Sequence, residues 1–339
     1  MPAGFGWGIA GFGWVARDFA VPGILASGGL VRRVCDPDPE ARDAAGTVAD
    51  GRVHSDIGPL LADPAVQAVY VATPNHLHRA ITEQALRAGK AVLCEKPMAA
   101  DLADAETMAA VAARSRALYG TAFDQRHHPA HAALREAIRD GLIGEVTAVQ
   151  IVYACWLDAG WRRGGGTGDN WRIDPRRAGG GALMDLVPHG LDLIDSLLGE
   201  PLAEATAFTQ RQVHDYAVDD GAMLIGRTRH GVLASLHVAY NCPETLPRRR
   251  LEIAGTKGLL VAHDTMGQDA GGRVTWTSGD SGRTEALAVA DFGASPFTRQ
   301  MAAFARAVET GDPGPFNAQR DLHTMRLIAR AYWEDARCR

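Results

Sequence analysis

The hydrophobic pattern of the first third of the chain alternates between short apolar runs and amphipathic segments. The apolar runs lie at residues 5–10, 30–35, 68–72 and 91–94. Between and after them, apolar residues recur at helical spacing, most clearly over 79–88 and 100–116. Continuous apolar strands that alternate with helices are typical of parallel sheets covered on both faces. The pattern therefore predicts an α/β domain over residues 1–122.

The rest of the chain, residues 123–339, follows a different pattern. After a strand at 145–154 and a helix that begins near Ala182, apolar residues recur mainly at every second position. This period predicts strands at 204–213, 221–228, 232–240, 250–254, 259–263 and 271–277. Two amphipathic helices end the chain, and they are long enough to pack back on the first domain. We expect an α+β domain with a broad sheet, one face of which meets a second copy because few helices remain to cover it.

Composition and charge exclude several classes of protein. The 339 residues are 46% hydrophobic and 22% charged, with a formal net charge of −5, whereas nucleic-acid binders usually carry a basic face. No apolar run is long enough to cross a bilayer, and the N-terminus leads into a predicted strand instead of a signal peptide. Cys35 and Cys94 end apolar strands, which indicates buried free thiols. We expect a cytoplasmic protein without membrane or nucleic-acid partners.

A glycine-rich turn follows the first predicted strand. Its sequence, Gly11-Phe12-Gly13-Trp14-Val15-Ala16, has the G-x-G-x-x-A spacing of a dinucleotide-binding turn. Gly11 permits the tight turn, and Gly13 lets the backbone approach a pyrophosphate that binds the N–H groups at the start of the helix. Asp36 ends the second strand, where an acidic residue meets the ribose hydroxyls.

Polar residues also follow the next two strands. Thr73-Pro74-Asn75-His76 comes after the third apolar run, and Glu95-Lys96-Pro97 comes after the fourth. Ligands of doubly wound sheets bind beyond the carboxyl ends of the strands, so these segments and the glycine turn are expected at one edge. His76 and His78 lack a nearby third ligand, and we predict no metal site.

The run Gly179-Gly180-Gly181 allows a sharp turn and a close approach, and it precedes a predicted helix. Asp185 and His189 lie four residues apart, so both project from one helix face. A carboxylate beside an imidazole suits proton transfer near neutral pH. We expect Pro188 in the first turn and Gly199 at the helix end. The residues alone leave open a second interpretation, in which Asp185 is only an acid at a helix start and His189 is a packed side chain.

These motifs together resemble the glucose-fructose oxidoreductase, inositol dehydrogenase and MocA family. They occur in the family's order, and the resemblance covers nearly the whole chain. It implies a Rossmann domain, then an α+β domain with a large, mostly antiparallel sheet, and NAD(P)-linked chemistry at a carbinol carbon of a sugar or cyclitol. It also implies a catalytic group in which His189 takes the hydroxyl proton, Lys96 holds the oxygen and Asp185 orients or charge-balances both.

Further residues are expected around this group. Asn75 and His76 line the nicotinamide, and the resemblance brings Arg126 to the substrate. Beside a glycine-rich loop at 160–170, Trp171 offers a flat surface to a sugar ring and Arg172 offers a fork of donors. Three further histidines are expected on the surface at a helix start: His127, His128 and His131.

The predicted function is NAD-dependent oxidation of a secondary alcohol of a sugar, sugar derivative or cyclitol to a ketone, by a homodimer or homotetramer. Asp36 favours NAD because it repels a ribose phosphate, whereas an arginine such as Arg32 or Arg33 accommodates one. Three alternatives stay open: a ketosugar reductase running in the opposite direction, a non-catalytic NAD(P)-binding regulator on the same fold, and a metal hydrolase that uses Asp185 and His189.

Overall fold

The structure is a computed structural model that describes residues 4–49, 52–161 and 170–338. The chain divides into two compact units. One consists of Met1–Phe123 and Phe297–Met325, and the other of Asp124–Pro296 and Arg326–Arg339. Each unit contains one β-sheet.

The first unit has a parallel sheet with helices between its strands. Its described strands are β1 (Gly6–Ala10), β2 (Leu30–Cys35), β3 (Val53–His54), β4 (Ala68–Val71), β5 (Ala91–Glu95) and β6 (Tyr119–Ala122). Its helices up to this point are α1 (Val21–Ala26), α2 (Pro39–Ala45), α3 (Gly58–Ala62), α4 (His78–Arg87) and α5 (Leu102–Arg114). The strand order β3-β2-β1-β4-β5-β6 is doubly wound, and every pair is parallel. The predicted Rossmann fold is confirmed.

The second unit has an eight-stranded sheet among its described residues. The strands are β7 (Val146–Ala154), β8 (Leu202–Gln210), β9 (Gly221–Thr228), β10 (Leu233–Ala239), β11 (Arg249–Gly255), β12 (Gly258–His263), β13 (Arg273–Ser278) and β14 (Thr284–Ala286). The order is β14-β13-β12-β11-β7-β10-β9-β8. Only β7 and β10 pair in parallel within this described sheet, which confirms a mostly antiparallel arrangement. Its helices are α6 (Pro129–Arg139), α7 (Pro175–Ala178) and α8 (Ala182–Leu198).

Helix α8 is buried along most of its length. Of its 17 residues 13 are buried, and Gly199 ends it in the left-handed conformation at φ 74°, as predicted. Gly190 lets α8 approach the sheet, because a Cβ there would lie 2.4 Å from the Leu236 side chain of β10. The prediction for Pro188 was wrong, since this residue lies inside α8 and not in its first turn. Proline has no N–H to donate to the carbonyl of Met184, so α8 lacks one backbone hydrogen bond near its middle.

The two predicted C-terminal helices are present as α9 (Pro296–Thr310) and α10 (Ala318–Cys338). The apolar face of α9 joins the core of the first unit, where Phe297, Met301 and Phe304 pack in one cluster with Trp7 and other residues of the sheet. Trp7 and Phe304 lie with ring centroids 5.7 Å apart. Burial of this face explains why α9 is counted with the first unit although it follows the second in sequence.

Two expectations from the composition concern the cysteines and membrane-spanning helices. All five cysteines are free thiols, and Cys35 and Cys94 are buried, as predicted. Burial, with the nearby Asp36 charge, raises the pKa of Cys35 to about 12. In the part of the chain that the structure describes, no helix has the length and apolarity needed to cross a membrane.

Candidate active site

The glycine turn of the first unit has the geometry of a dinucleotide site. Gly11 has a φ of +88°, and a Cβ there would lie 2.8 Å from the Ala72 carbonyl, so glycine is required. Gly13 differs, because no described atom lies within 4 Å of a Cβ built on it. The space in front of Gly13 is therefore open to a bound group. A pyrophosphate fits there, against the N–H groups where the next helical turn begins.

Asp36 lies beside this turn at the end of β2. The Phe12 N–H donates to Asp36 Oδ2 at 2.7 Å, and the Asp38 N–H donates to Oδ1 at 2.9 Å. The arginine that reaches this segment is Arg42, which the sequence did not single out. Its guanidinium donates to the carbonyls of Asp36 and Pro37 at 2.9 and 2.7 Å.

Two arginines, Arg32 and Arg33, precede Asp36 on β2. Arg33 forms an ion pair with Asp63 at 2.7 Å, and its guanidinium also lies 3.2 Å from the ring of His54. Arg32 lies along Gly6, at the opposite end of β1 from the glycine turn. The Arg33 guanidinium is therefore held by Asp63 and not by the Asp36 carboxylate.

A buried histidine connects the segments that follow β4 and β5. Nδ1 of His78 lies 3.0 Å from the Pro97 carbonyl oxygen, and Nε2 lies 3.0 Å from that of Thr73. Burial lowers the pKa of His78 to about 4, and a neutral ring has one N–H to donate. His78 thus joins the Thr73 segment to the segment that carries Lys96. The sequence had suggested His78 only as a weak metal ligand.

Glu95 is also held in place at this edge. The Tyr70 hydroxyl donates to its Oε1, and the Lys96 N–H donates to its Oε2 at 3.2 Å. Asn75 begins a short 3₁₀ turn, Asn75–Leu77, and is 5% exposed. The predicted cofactor residues after the two strands therefore lie together at the carboxyl ends of β4 and β5: Thr73, Pro74, Asn75, His76, Glu95 and Lys96.

In the second unit, His189 faces a carboxylate that the sequence had not identified. Its Nδ1 lies 3.1 Å from Oδ1 of Asp124, and both side chains are almost fully buried. The contact lacks the alignment of a hydrogen bond, and Nε2 of His189 is buried without a hydrogen-bond partner among the described residues. One ring nitrogen therefore lies beside an acid, and the other makes no hydrogen bond to the described residues.

The His189 ring also packs edge-to-face on Tyr153, with centroids 5.6 Å apart and planes at 68°. Burial and the Asp124 charge raise the pKa of Tyr153, so its phenol stays protonated. Asp185 has a different partner, because the Tyr240 hydroxyl donates to its Oδ2 at 2.8 Å. Burial and the Asp185 charge raise the pKa of Tyr240 as well. The sequence spacing correctly predicted that Asp185 and His189 lie on one helix. Their partners, the Tyr240 phenol and the Asp124 carboxylate, come from other elements.

The glycine run before α8 permits a close approach, as predicted. The groups that approach it include side-chain and backbone atoms of this same chain. A Cβ at Gly180 would lie 2.2 Å from the Tyr332 hydroxyl, and one at Gly181 would lie 1.9 Å from the Asp219 carbonyl oxygen. Gly179 has a φ of +85°. The run therefore lets the start of α8 pack against two polar residues from distant parts of the chain.

Arg126 lies in a buried ion pair. Its guanidinium donates through two nitrogens to the carboxylate of Asp192 on α8, with Nε at 2.9 Å from Oδ2. The side chains are 8% and 1% exposed. This contact fixes the segment that contains Asp124 to the helix that contains His189.

The expectation that His128 and His131 lie on the surface was wrong, since they are 0% and 1% exposed. The Ala130 N–H donates to Nδ1 of His128, which caps α6. Nδ1 of His131 lies 2.7 Å from the Gln125 carbonyl oxygen, and Nε2 lies 3.0 Å from the Thr265 hydroxyl. Histidine is compatible with burial when such partners are supplied, which the local sequence does not reveal.

Arg172 stacks over the ring of Trp171, with its guanidinium carbon 4.4 Å from the centroid, and lies 5.5 Å from that of Trp161. Most of the predicted glycine-rich loop, residues 162–169, lies outside the described residues. Within the described ranges, no three or more His, Cys, Asp or Glu residues form a group that could hold a metal ion.

The residues that the sequence missed share a signal. Asp124 comes just after β6 and Tyr240 directly after β10, so each follows the end of a strand. The same rule had identified Asp36, Asn75 and Lys96. For Tyr240 the rule has no basis, because an antiparallel sheet has no single carboxyl edge, whereas Asp124 follows β6 of the parallel sheet and satisfies the rule.

Comparison with known proteins agrees with this geometry. Residues 5–123 match the model of the oxidoreductase family with an NAD-binding Rossmann fold, and residues 131–261 match the GFO/IDH/MocA C-terminal domain. The 1,5-anhydro-D-fructose reductase of Ensifer adhaerens is 32% identical over 332 residues, which is 95% of this chain and 96% of that protein. The D-xylose 1-dehydrogenase (NADP(+)) 2 of Haloferax volcanii is 28% identical and covers 96% of each chain. Among solved structures, aldose-aldose oxidoreductase from Caulobacter crescentus complexed with glycerol has a TM-score of 0.86 at 25% identity, covering 99% of this chain and 98% of that one.

Proposed function

The chain belongs to the GFO/IDH/MocA family of NAD(P)-dependent oxidoreductases acting on CH–OH groups, and from this premise we propose that it oxidises a secondary alcohol of a sugar or cyclitol to a ketone. The sugar-named relatives support this substrate class. When bound, the nicotinamide accepts the hydride from the carbinol carbon. The residues of the chain then have to hold the substrate, remove the hydroxyl proton and stabilise the oxygen.

The observation that carries the proposal is the environment of His189. Its Nε2 is buried and lacks a hydrogen-bond partner among the described residues, while Nδ1 lies 3.1 Å from Asp124. We assign Nε2 to take the hydroxyl proton as the C–H bond breaks and the C=O bond forms. Asp124 positions the ring and balances the charge that the imidazole gains, so it is a positioning residue. Lys96 stabilises the oxygen while negative charge develops on it.

Asp185 is assigned to bind the substrate together with Tyr240. The phenol donates to Asp185 Oδ2 and holds that carboxylate in one orientation. A carboxylate fixed in this way accepts hydrogen bonds from sugar hydroxyls. Trp171 and Arg172 complete the proposed substrate group, because their stacked pair presents an aromatic ring with a planar set of donors.

Reduction of a ketosugar is the second candidate direction, and one comparison favours it. The relative that is 32% identical over almost the whole chain is named a reductase. In this direction a protonated His189 returns the proton to the carbonyl oxygen as the hydride arrives at carbon. The same residues serve both directions by microscopic reversibility, so the assay has to include both.

NAD is the proposed cofactor. The Asp36 carboxylate stands beside the Phe12 amide at the end of β2, where it accepts from ribose hydroxyls and repels a ribose phosphate. Arg33 is occupied by Asp63. Arg42 already donates to two backbone carbonyls, and turning it toward a phosphate gives up both contacts.

We also propose that a second copy covers the exposed face of the second sheet. Four large apolar side chains on this face are more than half exposed: Phe208 at 65%, Met223 at 51%, Ile225 at 54% and Leu233 at 59%. The strand register places them on one face of β8, β9 and β10. Contiguous apolar surface of this kind is uncommon on monomers. Light scattering that reports only a monomer at micromolar concentration contradicts this proposal.

Turnover of a panel of aldoses, ketoses, 1,5-anhydro sugars and inositols tests the function. NAD and NADP are compared by the absorbance of the reduced nicotinamide, in both directions. We expect turnover with at least one sugar or cyclitol, and loss of about 10²- to 10⁴-fold in rate in His189→Ala. A His189→Ala variant with the wild-type rate and pH profile refutes the assignment.

A double-mutant cycle separates the two carboxylates. If Asp124 acts through His189, Asp124→Asn lowers kcat in the wild type and has little further effect in His189→Ala. Asp185→Asn is the matched comparison, and it should raise the KM for sugar in both backgrounds. Equal effects of Asp124→Asn in both backgrounds contradict the role of Asp124 as a positioning residue.

A further inference from the structure

An aromatic cleft lies in the second unit next to the residues assigned to the substrate. Its volume is about 440 Å³, and it is lined by Trp156, Trp161, Pro243 and Glu244. Trp156 is 37% exposed although it is a large apolar side chain. It pairs with Asn241 in an isolated β-bridge, which places the cleft just beyond the ends of β7 and β10.

Two residues, His214 and Arg172, connect this cleft to the surroundings of Tyr240. The His214 ring packs edge-on against Trp156 with centroids 4.7 Å apart, and its Nε2 lies 3.0 Å from the Tyr240 carbonyl oxygen. Arg172 lies over Trp161 at 5.5 Å. Burial and Asp185 raise the pKa of Tyr240, and the Arg172 charge opposes this rise. Arg172 is therefore within electrostatic reach of the Tyr240 phenol, which binds Asp185.

The lining of the cleft is suited to a neutral carbohydrate ring. Indole faces give a broad apolar surface against which the C–H face of a pyranose can pack. Glu244 supplies a carboxylate that accepts from ring hydroxyls, and its side chain is exposed with Arg248 as its ion-pair partner at 3.0 Å. None of the four lining residues is basic.

We propose that the Trp156–Trp161 cleft binds a second sugar ring, so that the substrate is a disaccharide or glycoside whose reacting ring occupies the His189–Asp185 site. This inference rests on the proposed function and extends it. A subsite beyond the reacting ring gives binding energy without taking part in the chemistry. The expected signature is a specificity effect that depends on the second ring.

The test compares glucose with cellobiose and maltose, which add a second glucose ring in two linkages. In the wild type, kcat/KM for one disaccharide should exceed that for glucose at least about tenfold, which is about 1.4 kcal/mol of transition-state binding. Trp156→Ala and Glu244→Gln should each lower this ratio, with the larger loss for Trp156→Ala. Trp333→Ala is the matched control, since Trp333 is 58% exposed and stacks on Arg337 elsewhere in the unit. It should leave the ratio unchanged.

Binding measured by isothermal titration calorimetry, whose signal does not depend on Trp156, keeps the inference separate from the proposed function. If no sugar turns over but cellobiose or maltose binds the wild type and not Trp156→Ala, the subsite stands and the proposed function fails. If glucose turns over but neither disaccharide is preferred, or the ratio survives Trp156→Ala, the subsite is refuted while the function stands. Tighter binding of UDP-glucose than of either disaccharide also overturns it.

Discussion

A single buried carboxylate, Asp219, holds the start of the helix that carries Asp185 and His189. The Gly181 N–H donates to its Oδ1 at 2.9 Å, the Leu183 N–H donates to its Oδ2 at 2.8 Å, and the Tyr332 hydroxyl donates to Oδ1 at 2.7 Å. Helix α8 has no side-chain cap of its own. Asp219 therefore acts as an N-cap supplied from elsewhere in the chain.

The size of its contribution can be estimated from these contacts. Hydrogen bonds to a charged group contribute about 1.5–3 kcal/mol each, and a buried donor left without a partner costs about 1–3 kcal/mol. Burial raises the pKa of Asp219, which shows that part of this gain is offset by desolvation of the carboxylate. We expect Asp219→Ala to lower the free energy of unfolding by about 3–5 kcal/mol. Asp219→Asn keeps one oxygen and should lose about half of that.

Tyr332→Phe is the matched variant, because it removes one of the three donors and keeps the ring. The Tyr332 hydroxyl also accepts from the Met184 N–H at 3.2 Å, so we expect a loss of about 1–2 kcal/mol. Urea titration should rank the stabilities as wild type, Tyr332→Phe, Asp219→Asn and Asp219→Ala. At a temperature where each variant is folded, kcat should fall in the same order, because the first turns of α8 position the catalytic side chains.

The proposed role of Asp219 is contradicted if the free energy of unfolding of Asp219→Ala lies within about 0.5 kcal/mol of the wild-type value, the usual range of a substitution without a specific mechanism. It also fails if stability falls but kcat of the folded variant stays unchanged. In the first case the glycine run is held by packing alone. In the second case the helix start has no part in positioning His189.

Three further outcomes are expected. Lys96→Met should lower kcat at least ~10²-fold with NAD binding nearly intact, because the ammonium acts mainly on charge in the transition state; steady-state kinetics and NAD titration check this. The kcat/KM with NAD should exceed that with NADP, and Asp36→Ala should bring the two values closer together; a clear NADP preference of the wild type contradicts the role of Asp36. Burial lowers the pKa of His131 to about 3, so the unfolded chain binds its proton first and stability falls as pH drops below about 6.5, by up to about 1.4 kcal/mol per pH unit. In urea titrations at pH 7 and pH 4, His131→Gln should lose less stability on acidification than the wild type.

Local rules predicted the first unit well, because its chemistry follows from strand ends. Gly11, Asp36 and Lys96 come directly after apolar strands, Asn75 lies in the turn that follows one, and parallel strands bring their carboxyl ends to one edge. The residue that joins two of these segments, His78, was harder to identify. Its partners are backbone carbonyls, and carbonyls carry no signal in the sequence.

In the second unit, periodicity along the chain does not predict which distant residues contact Asp185 and His189. The helical spacing of Asp185 and His189 was correct, but Asp124 and Tyr240 reach them from a turn after β6 and from the end of β10. His128 and His131 were expected on the surface because they stand at a helix start, and the local sequence does not show whether a distant hydroxyl or carbonyl will satisfy a buried histidine. These contacts depend on tertiary structure, which a single sequence read locally does not contain.

Four buried or half-buried acids lie on helix α8 or against it, and each has a partner from a different part of the chain. Asp219 binds the helix start, Asp185 accepts from Tyr240, Asp124 faces His189, and Asp192 pairs with Arg126. Apolar packing would stabilise a helix at least as well, because desolvation offsets much of what a buried ion pair contributes. Polar partners do what packing cannot, since each fixes the rotation and depth of α8 through a directional contact. A proton acceptor has to lie within hydrogen-bond reach of the hydroxyl it deprotonates. The concentration of these acids around α8 is therefore best explained by the positioning of His189, and only secondarily by stability.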